Sequence, residues 1–283
     1  MLYLVLSIMF SVAVGVIFKI TRKHQCNPMQ IIAVNYLVAI VLCYFIFNPN
    51  IDDISKQSHW NLYIAIGILL PLVFKFLVLS IKHIGIVKTD AAQRLSLFIP
   101  ILAAWFIFGE SFNLYKIIGL LAGFTSLLLI LNKPSKETQG NWLYPAIVLL
   151  GFGIIDILFK QVALYTKVAY TTSLFVIFDI ALAVSLFIVV YEVMVKKNSF
   201  NYKNLLFGIV VGIFNFGNIV FYLKAHKVFA ENPSTVFAGM NIGVIILGTI
   251  VGVFFFKEKL SKINLTGLFL ALIAIIFIFI SQI

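Results

Sequence analysis

The sequence predicts an all-α integral membrane protein: ten transmembrane helices built as two inverted five-helix repeats. Three observations carry that expectation. The first is composition. With 62% hydrophobic residues, 11% charged residues and a mean hydropathy of +1.10, the chain falls far short of the quarter or so of charged residues that a water-facing surface uses. The second is run length, since the apolar stretches recur at about the 20 residues that a helix needs to cross a hydrocarbon core. Barrel strands would be shorter and would alternate with period two, whereas these runs are apolar all round. The third is an internal repeat: residues 98–131 and 245–278 read alike, and a constant offset of 148 places Glu110 on Glu258, Gly119 on Gly267 and Gly123 on Ala271.

Taken in order, the predicted spans of the first half are 2–20, 30–47, 60–81, 91–108 and 114–131. Those of the second are 143–160, 171–195, 205–223, 236–256 and 263–280. The polar, turn-rich stretch 132–141 (NKPSKETQGN) is the seam, so the expected units are 1–131 and 142–283. The first spans also align, GVIFK at 15–19 on DILFK at 156–160, with an offset of 141. The change from 141 to 148 is what a few inserted loop residues produce. An odd number of crossings per unit makes the second unit enter from the opposite side, which inverts the repeat and puts both termini on one face. Inverted repeats are characteristic of secondary transporters. The chain begins directly in an apolar run with no basic n-region, so the first span is expected to be retained.

Charge and cysteine narrow the class. The net charge of +11 sits in short breaks between spans, where lipid head groups and not nucleic acid are the expected partner. Cys26 and Cys43 would lie about 25 Å apart along one element, too far for a disulfide. No G-x-x-x-x-G-K-[ST] loop, H-E-x-x-H, G-x-S-x-G or Cys cluster occurs, and His24, His59, His83 and His226 are scattered. The sequence therefore indicates no cofactor, metal site or catalytic nucleophile.

Candidate binding residues are the polar groups inside spans, since a charge near mid-bilayer costs about 2.5–3.5 kcal/mol. Lys75 and Asp179 lie deep in their runs with no opposite charge nearby on the helix, and are expected to face a water-filled cavity. Asp179 is the candidate protonatable group if protons are the coupling ion. Asp156 with Lys160, and Asp90 with Arg94, are spaced i, i+4 and can partly neutralise each other. Asn215, Asn218 and Tyr222 form a stripe on the eighth helix, and Asn35 interrupts the second. Gln93 maps onto Asn241, where equivalent amides would meet across a pseudo-two-fold axis. Glu110 and Glu258 suit helix starts, where the dipole is positive. Gly119 and Gly123, Gly208 and Gly212, Gly239 and Gly243, and Gly248 and Gly252 are each four apart, the spacing that lets helices approach closely.

The whole pattern resembles the ten-helix, EamA-type members of the drug/metabolite transporter superfamily. Those proteins carry two similar five-helix units, each with a Lys near the end of its first helix, a Pro-containing fourth helix ending in a short Gly-Glu break, and a Gly early in the fifth. The matches here are Lys19 and Lys160, Pro100, Gly109 with Glu110 answered by Lys257 with Glu258, and Gly119 with Gly267. Departures are Gly248 at the position of Pro100, Lys257 before Glu258, and no Trp-Gly ahead of Lys19. The resemblance implies a bacterial inner-membrane exporter with cytoplasmic termini. The loop charges imply the reverse orientation. Cytoplasmic termini would leave only Lys56, Lys116, Lys167 and Lys227 in inner breaks, against eleven basic residues outside.

The expected function is secondary transport of a small organic metabolite, an amino acid or similar zwitterion, by alternating access. Lys75 and Arg94 beside Asp179 favour a zwitterion over the cationic drugs of a multidrug exporter. A polytopic enzyme acting on lipid-linked substrates is the alternative from another class. It would need clustered His, Asp or Ser at one face.

Overall fold

The computed structural model describes residues 1–24, 26–54, 58–84, 86–131, 142–164, 168–196, 199–257 and 261–281. The seam 132–141 and Glu258 lie outside the described residues, as does the side chain of Asp90. Eleven α-helices follow one another: α1 Leu2–Lys23, α2 Pro28–Phe47, α3 Trp60–Ile84, α4 Ile86–Leu95, α5 Phe98–Phe106, α6 Leu114–Leu131, α7 Leu143–Leu164, α8 Tyr170–Lys196, α9 Tyr202–Val228, α10 Pro233–Phe256 and α11 Lys262–Ile280. Eight are long and apolar enough to cross a bilayer, and Ala92–Phe106 and Leu114–Ile130 are two shorter apolar stretches.

The fourth crossing is broken between α4 and α5. Pro100 cannot donate to the carbonyl of Ser96, one turn back, and its ring crowds that carbonyl. The chain tightens there instead: the N–H groups of Leu97 and Ile99 bond three residues back, to Arg94 and Ser96, at 3.2 and 3.1 Å. Its counterpart α10 carries Gly248 at the position of Pro100 and runs unbroken. Counting α4 and α5 as one crossing gives ten crossings, with both ends of the chain on one face, called here the terminal face.

Helix starts repeat at the offset of 148. The side chain of Asn113 accepts from the backbone of Lys116 at 2.9 Å, and Ser261 accepts from Asn264 at 3.1 Å. Both are N-caps that satisfy the third open N–H of a fifth helix. After α5 and α10 the chain turns through positive φ at Gly109 (66°) and Lys257 (54°), again 148 apart.

The two halves do not form separate bundles. Helix α1 packs on α9 and α10, α7 on α3, α4 and α5, α2 on α8 and α9, and α6 lies along α11. A Cβ added at Gly119 would stand 2.8 Å from the side chain of Ile278 and 3.0 Å from its backbone nitrogen. One added at Gly267 would meet Ile130 at the same two distances. Adding 148 to Gly119 gives Gly267, and to Ile130 gives Ile278, so these are one contact made twice. Gly67 against Ile180 and Gly208 against Val34 repeat in the same sense.

A Leu at Gly119 or Gly267 should cost about 1–3 kcal/mol through overpacking against backbone. Gly15→Ala, with nothing within 4 Å, should be neutral or stabilise by about 0.5–1 kcal/mol. Thermal unfolding in detergent of the three variants measures the contrast.

Candidate functional site

A polar cavity of about 370 Å³ opens near the face opposite the termini. It is built where α2 and α9 begin, beside the later turns of α3 and α8. Asn27 caps α2, accepting from Met29 and Gln30 at 2.8 and 3.4 Å, and Asn201 caps α9 through Lys203 at 3.0 Å. The positive ends of both helices therefore border the cavity. Lys75 of α3 and Glu192 of α8 supply opposite charges to its lining. Glu192 is held by the Asn27 amide, which donates to it at 3.0 Å. Behind that, Asn204 accepts from the backbone of Asn27 at 3.1 Å and donates to Gln30 at 2.6 Å, and Gln30 donates to the Ser199 carbonyl at 3.1 Å. Cys26 also lines the cavity, outside the spans; burial raises its thiol pKa and the nearby Lys203 ammonium opposes the rise.

A second polar set runs along α9 from mid-membrane toward the terminal face. Asn215 donates to Asn35 of α2 at 3.1 Å. Asn218 accepts from Ser7 of α1 at 2.8 Å, and Tyr222 donates to Asp156 of α7 at 2.9 Å. One turn further, the His226 ring stands 4.7 Å from that of Tyr222, fully buried, with no hydrogen-bond partner on either nitrogen.

One expected pairing forms differently. Asp156 and Lys160 do not pair along α7: Asp156 takes the Tyr222 hydroxyl, while the Lys160 ammonium lies 3.9 Å from the centre of the Phe108 ring, with Glu110 and Glu231 in electrostatic reach. Tertiary partners displace the i, i+4 contact because each side chain points to a different neighbouring segment. Asn241 donates to the Phe237 carbonyl of its own helix at 3.1 Å, and Gln93 and Arg94 are half-buried. Asp179 is exposed and shares its face of α8 with Ala183, Leu186 and Val190. The opposite side of that helix, with Leu174, Ile177, Phe178 and Ala181, is the buried one, and the cavity carboxylate is Glu192.

Lys19 makes the same kind of ring contact as Lys160, at the other end of the bundle. Its ammonium lies 3.8 Å from the centre of the Phe256 ring. The offset of 141 relates Lys19 to Lys160, and 148 relates Phe108 to Phe256. Lys160 is 1% exposed and Lys19 is half-buried.

Glu110 is buried at the start of a helix, but of α10 and not of the helix that follows it. The Ser234 backbone and hydroxyl donate to its carboxylate at 2.9 and 2.6 Å, and Lys116 donates at 2.6 Å while also reaching Asn232 at 2.9 Å. Sequence reading pointed to Glu110, Lys19 and Lys160 without their partners. It missed Glu192 and His226: Glu192 lies in the polar end of a span, and a lone His carries no periodic signal.

A profile of the EamA-like transporter family matches residues 1–132, the first unit with its Lys19, Pro100 and Gly109-Glu110 landmarks. The chain belongs to the EamA-like transporter family. An uncharacterized protein of Haemophilus influenzae is 44% identical over 282 residues, covering 96% of this chain and 95% of the relative. A solved crystal structure has the same fold, with a TM-score of 0.77 at 12% identity over 99% of this chain and 96% of that chain. This EamA-type chain is accordingly a multi-pass membrane protein of a transporter family.

Glu110→Ala should remove about 3–5 kcal/mol of stability, since it leaves the Lys116 ammonium buried and uncompensated. Adding Lys116→Met should return part of that loss. A double-mutant cycle on unfolding midpoints in detergent reads the coupling.

Proposed function

We propose that this chain is a secondary transporter that moves a zwitterionic metabolite of amino-acid size across the bacterial inner membrane. The observation that carries the reading is the cavity that holds Lys75 and Glu192 together. Lys75 and the starts of α2 and α9 suit a carboxylate, and Glu192 suits an ammonium. Its volume of about 370 Å³ lies within the usual range of small-molecule sites.

Alternating access between two inverted five-helix units is the proposed mechanism. Its support is a set of contacts that exchange between halves: Gly119 on Ile278 with Gly267 on Ile130, and Lys160 over Phe108 with Lys19 over Phe256. A two-fold relation between copies requires contacts in such swapped pairs. The Lys and Phe of each pair come from different units, at opposite ends of the bundle, so separating one pair parts the units at one face. Export is the direction that the EamA resemblance implies.

Counterflow of radiolabelled amino acids into proteoliposomes tests the substrate class. Lys75→Gln and Glu192→Gln should each slow it at least about tenfold, the equivalent of one charge-assisted hydrogen bond. Counterflow of a lipophilic cation instead would make this a multidrug exporter. Reporters fused to the two termini should read the same side, and one inserted in 132–141 the other. A membrane-impermeant thiol reagent should label Cys26 and not the buried Cys43, faster at alkaline pH because the raised thiol must first ionise. Amino-acid substrate should protect Cys26 if the cavity is the binding site.

A further inference from the structure

The polar set along α9 has no counterpart in the other half. Subtracting 141 turns Asn215, Asn218, Tyr222 and His226 into Phe74, Leu77, Ile81 and Gly85, and Asp156 into Gly15. On a duplicated frame, groups present in one unit alone are not needed to build the fold, since the other unit is built without them. Burying them is also expensive.

Three features of the set go beyond packing. Asp156 brings a half-buried carboxylate into the bundle, where it accepts from the Tyr222 hydroxyl at 2.9 Å, although a carboxylate has room for several such bonds. His226 is 0% exposed with both ring nitrogens unpartnered, and an orphaned buried polar group calls for a cause. The rings of Tyr222 and His226 are in edge contact, and His226 in turn meets Phe237 at 4.9 Å, so the imidazole is held beside the Asp156 and Tyr222 pair.

We propose that Asp156, with Tyr222 and His226, forms a proton-binding site in the half of the bundle nearer the terminal face. The O–H bond forms at the Asp156 carboxylate, with the proton supplied by water at that face. The Tyr222 hydroxyl positions the carboxyl, and His226 is a second proton acceptor one turn nearer the surface. As the seat of a coupling ion, the site rests on the transport reading; as a proton site, it stands alone.

The charged and titratable groups around it are few. Lys160 follows Asp156 on α7 and acts on His226, with Glu110 and Glu231 beyond it. Arg94 is the half-buried cation of α4. Lys75 of α3 and Glu192 of α8 line the cavity near the other face, where Lys82 and His83 close α3. Asp179 is on the exposed face of α8. On α9, Lys224 lies over Tyr3 and Phe221, and Lys227 over Tyr170. Lys160 has Glu110 and Glu231 as its counter-charges, so a proton on Asp156 does not leave it uncompensated.

Infrared difference spectra of the full chain in proteoliposomes, between acid and alkaline pH, test the proposal without any substrate. The expected result is a carbonyl band of a buried protonated carboxyl that Asp156→Asn abolishes. Tyr222→Phe and His226→Gln should each keep the band and shift its pH midpoint by about one unit. A band that survives Asp156→Asn, or no such band in the unmodified chain, overturns the site. If Asp156→Asn does not fold, an unshifted midpoint in Tyr222→Phe overturns it equally. Absence of counterflow in a chain that shows the band would refute transport and leave the proton site standing.

Discussion

Hydrocarbon offers no hydrogen bonds, so every polar group carried into it must find its partner within the protein. This constraint is strictest where helices begin, because the first N–H groups of each have no partner inside the helix. Four starts are served by a neighbour in sequence: Asn27 for α2, Asn113 for α6, Asn201 for α9 and Ser261 for α11. Helix α10 differs. Asn232 precedes it without a side-chain cap, its amide oxygen being taken by Lys116, and the Glu110 carboxylate reaches over from the α5 to α6 connection to take the Ser234 N–H. One carboxylate thus completes a helix, neutralises a buried ammonium and ties the fourth crossing of one half to that of the other. The positive φ of Gly109 next to it lets the chain turn back steeply enough to present Glu110. At the matching turn Lys257 adopts φ 54°, for which a residue with a Cβ incurs roughly 1–2 kcal/mol.

Glycine contacts divide the bundle into two kinds of seam. Along α6 and α11, Gly119 and Gly267 bring backbone against backbone, and Ser126 donates to the Gly267 carbonyl at 2.7 Å. Such a seam locks two helices in register. Around α1 and α7 the glycines instead receive side chains: Phe10 on Gly217, Leu4 on Gly239, Val73 on Gly151 and Ile99 on Gly153. The α6 and α11 pair is therefore a backbone seam, while α1 and α7 meet the opposite half through side chains, Ser7 on Asn218 and Lys160 over Phe108 among them.

Much of the helical fold was legible in the sequence, because lipid imposes run length directly. The break in the fourth crossing was less so. Pro100 was visible, but the apolar run 91–108 reads straight through it, and α4 begins earlier, at Ile86, in residues too polar to score as a span. The site was legible only as residue types. Lys75 stood out for its depth, yet nothing local could connect it to Glu192 on another helix. Asp179 stood out for the same reason, and the face of α8 that packs on α2 and α3 left it exposed. Asp156 and Lys160 looked like partners by spacing. Spacing describes one helix, whereas their actual partners, Tyr222 and Phe108, come from elsewhere in the chain.

Duplication supplies its own control for reading the interior. Where the halves agree, as in the N-caps at Asn113 and Ser261, the glycine contacts of α6 and α11, and the two Lys over Phe pairs, the shared feature serves something both halves must do: fold and dock. Where they disagree, the fold has already shown in one unit that it can do without the feature. Phe74, Leu77 and Ile81 stand on α3 at the positions that Asn215, Asn218 and Tyr222 take on α9, and Gly15 answers Asp156. Apolar residues at those places cost no desolvation, so polar ones persist on one side against a steady free-energy disadvantage. The asymmetry, set in a frame that otherwise repeats, falls on α7 and α9, where the Tyr222 hydroxyl meets the Asp156 carboxylate.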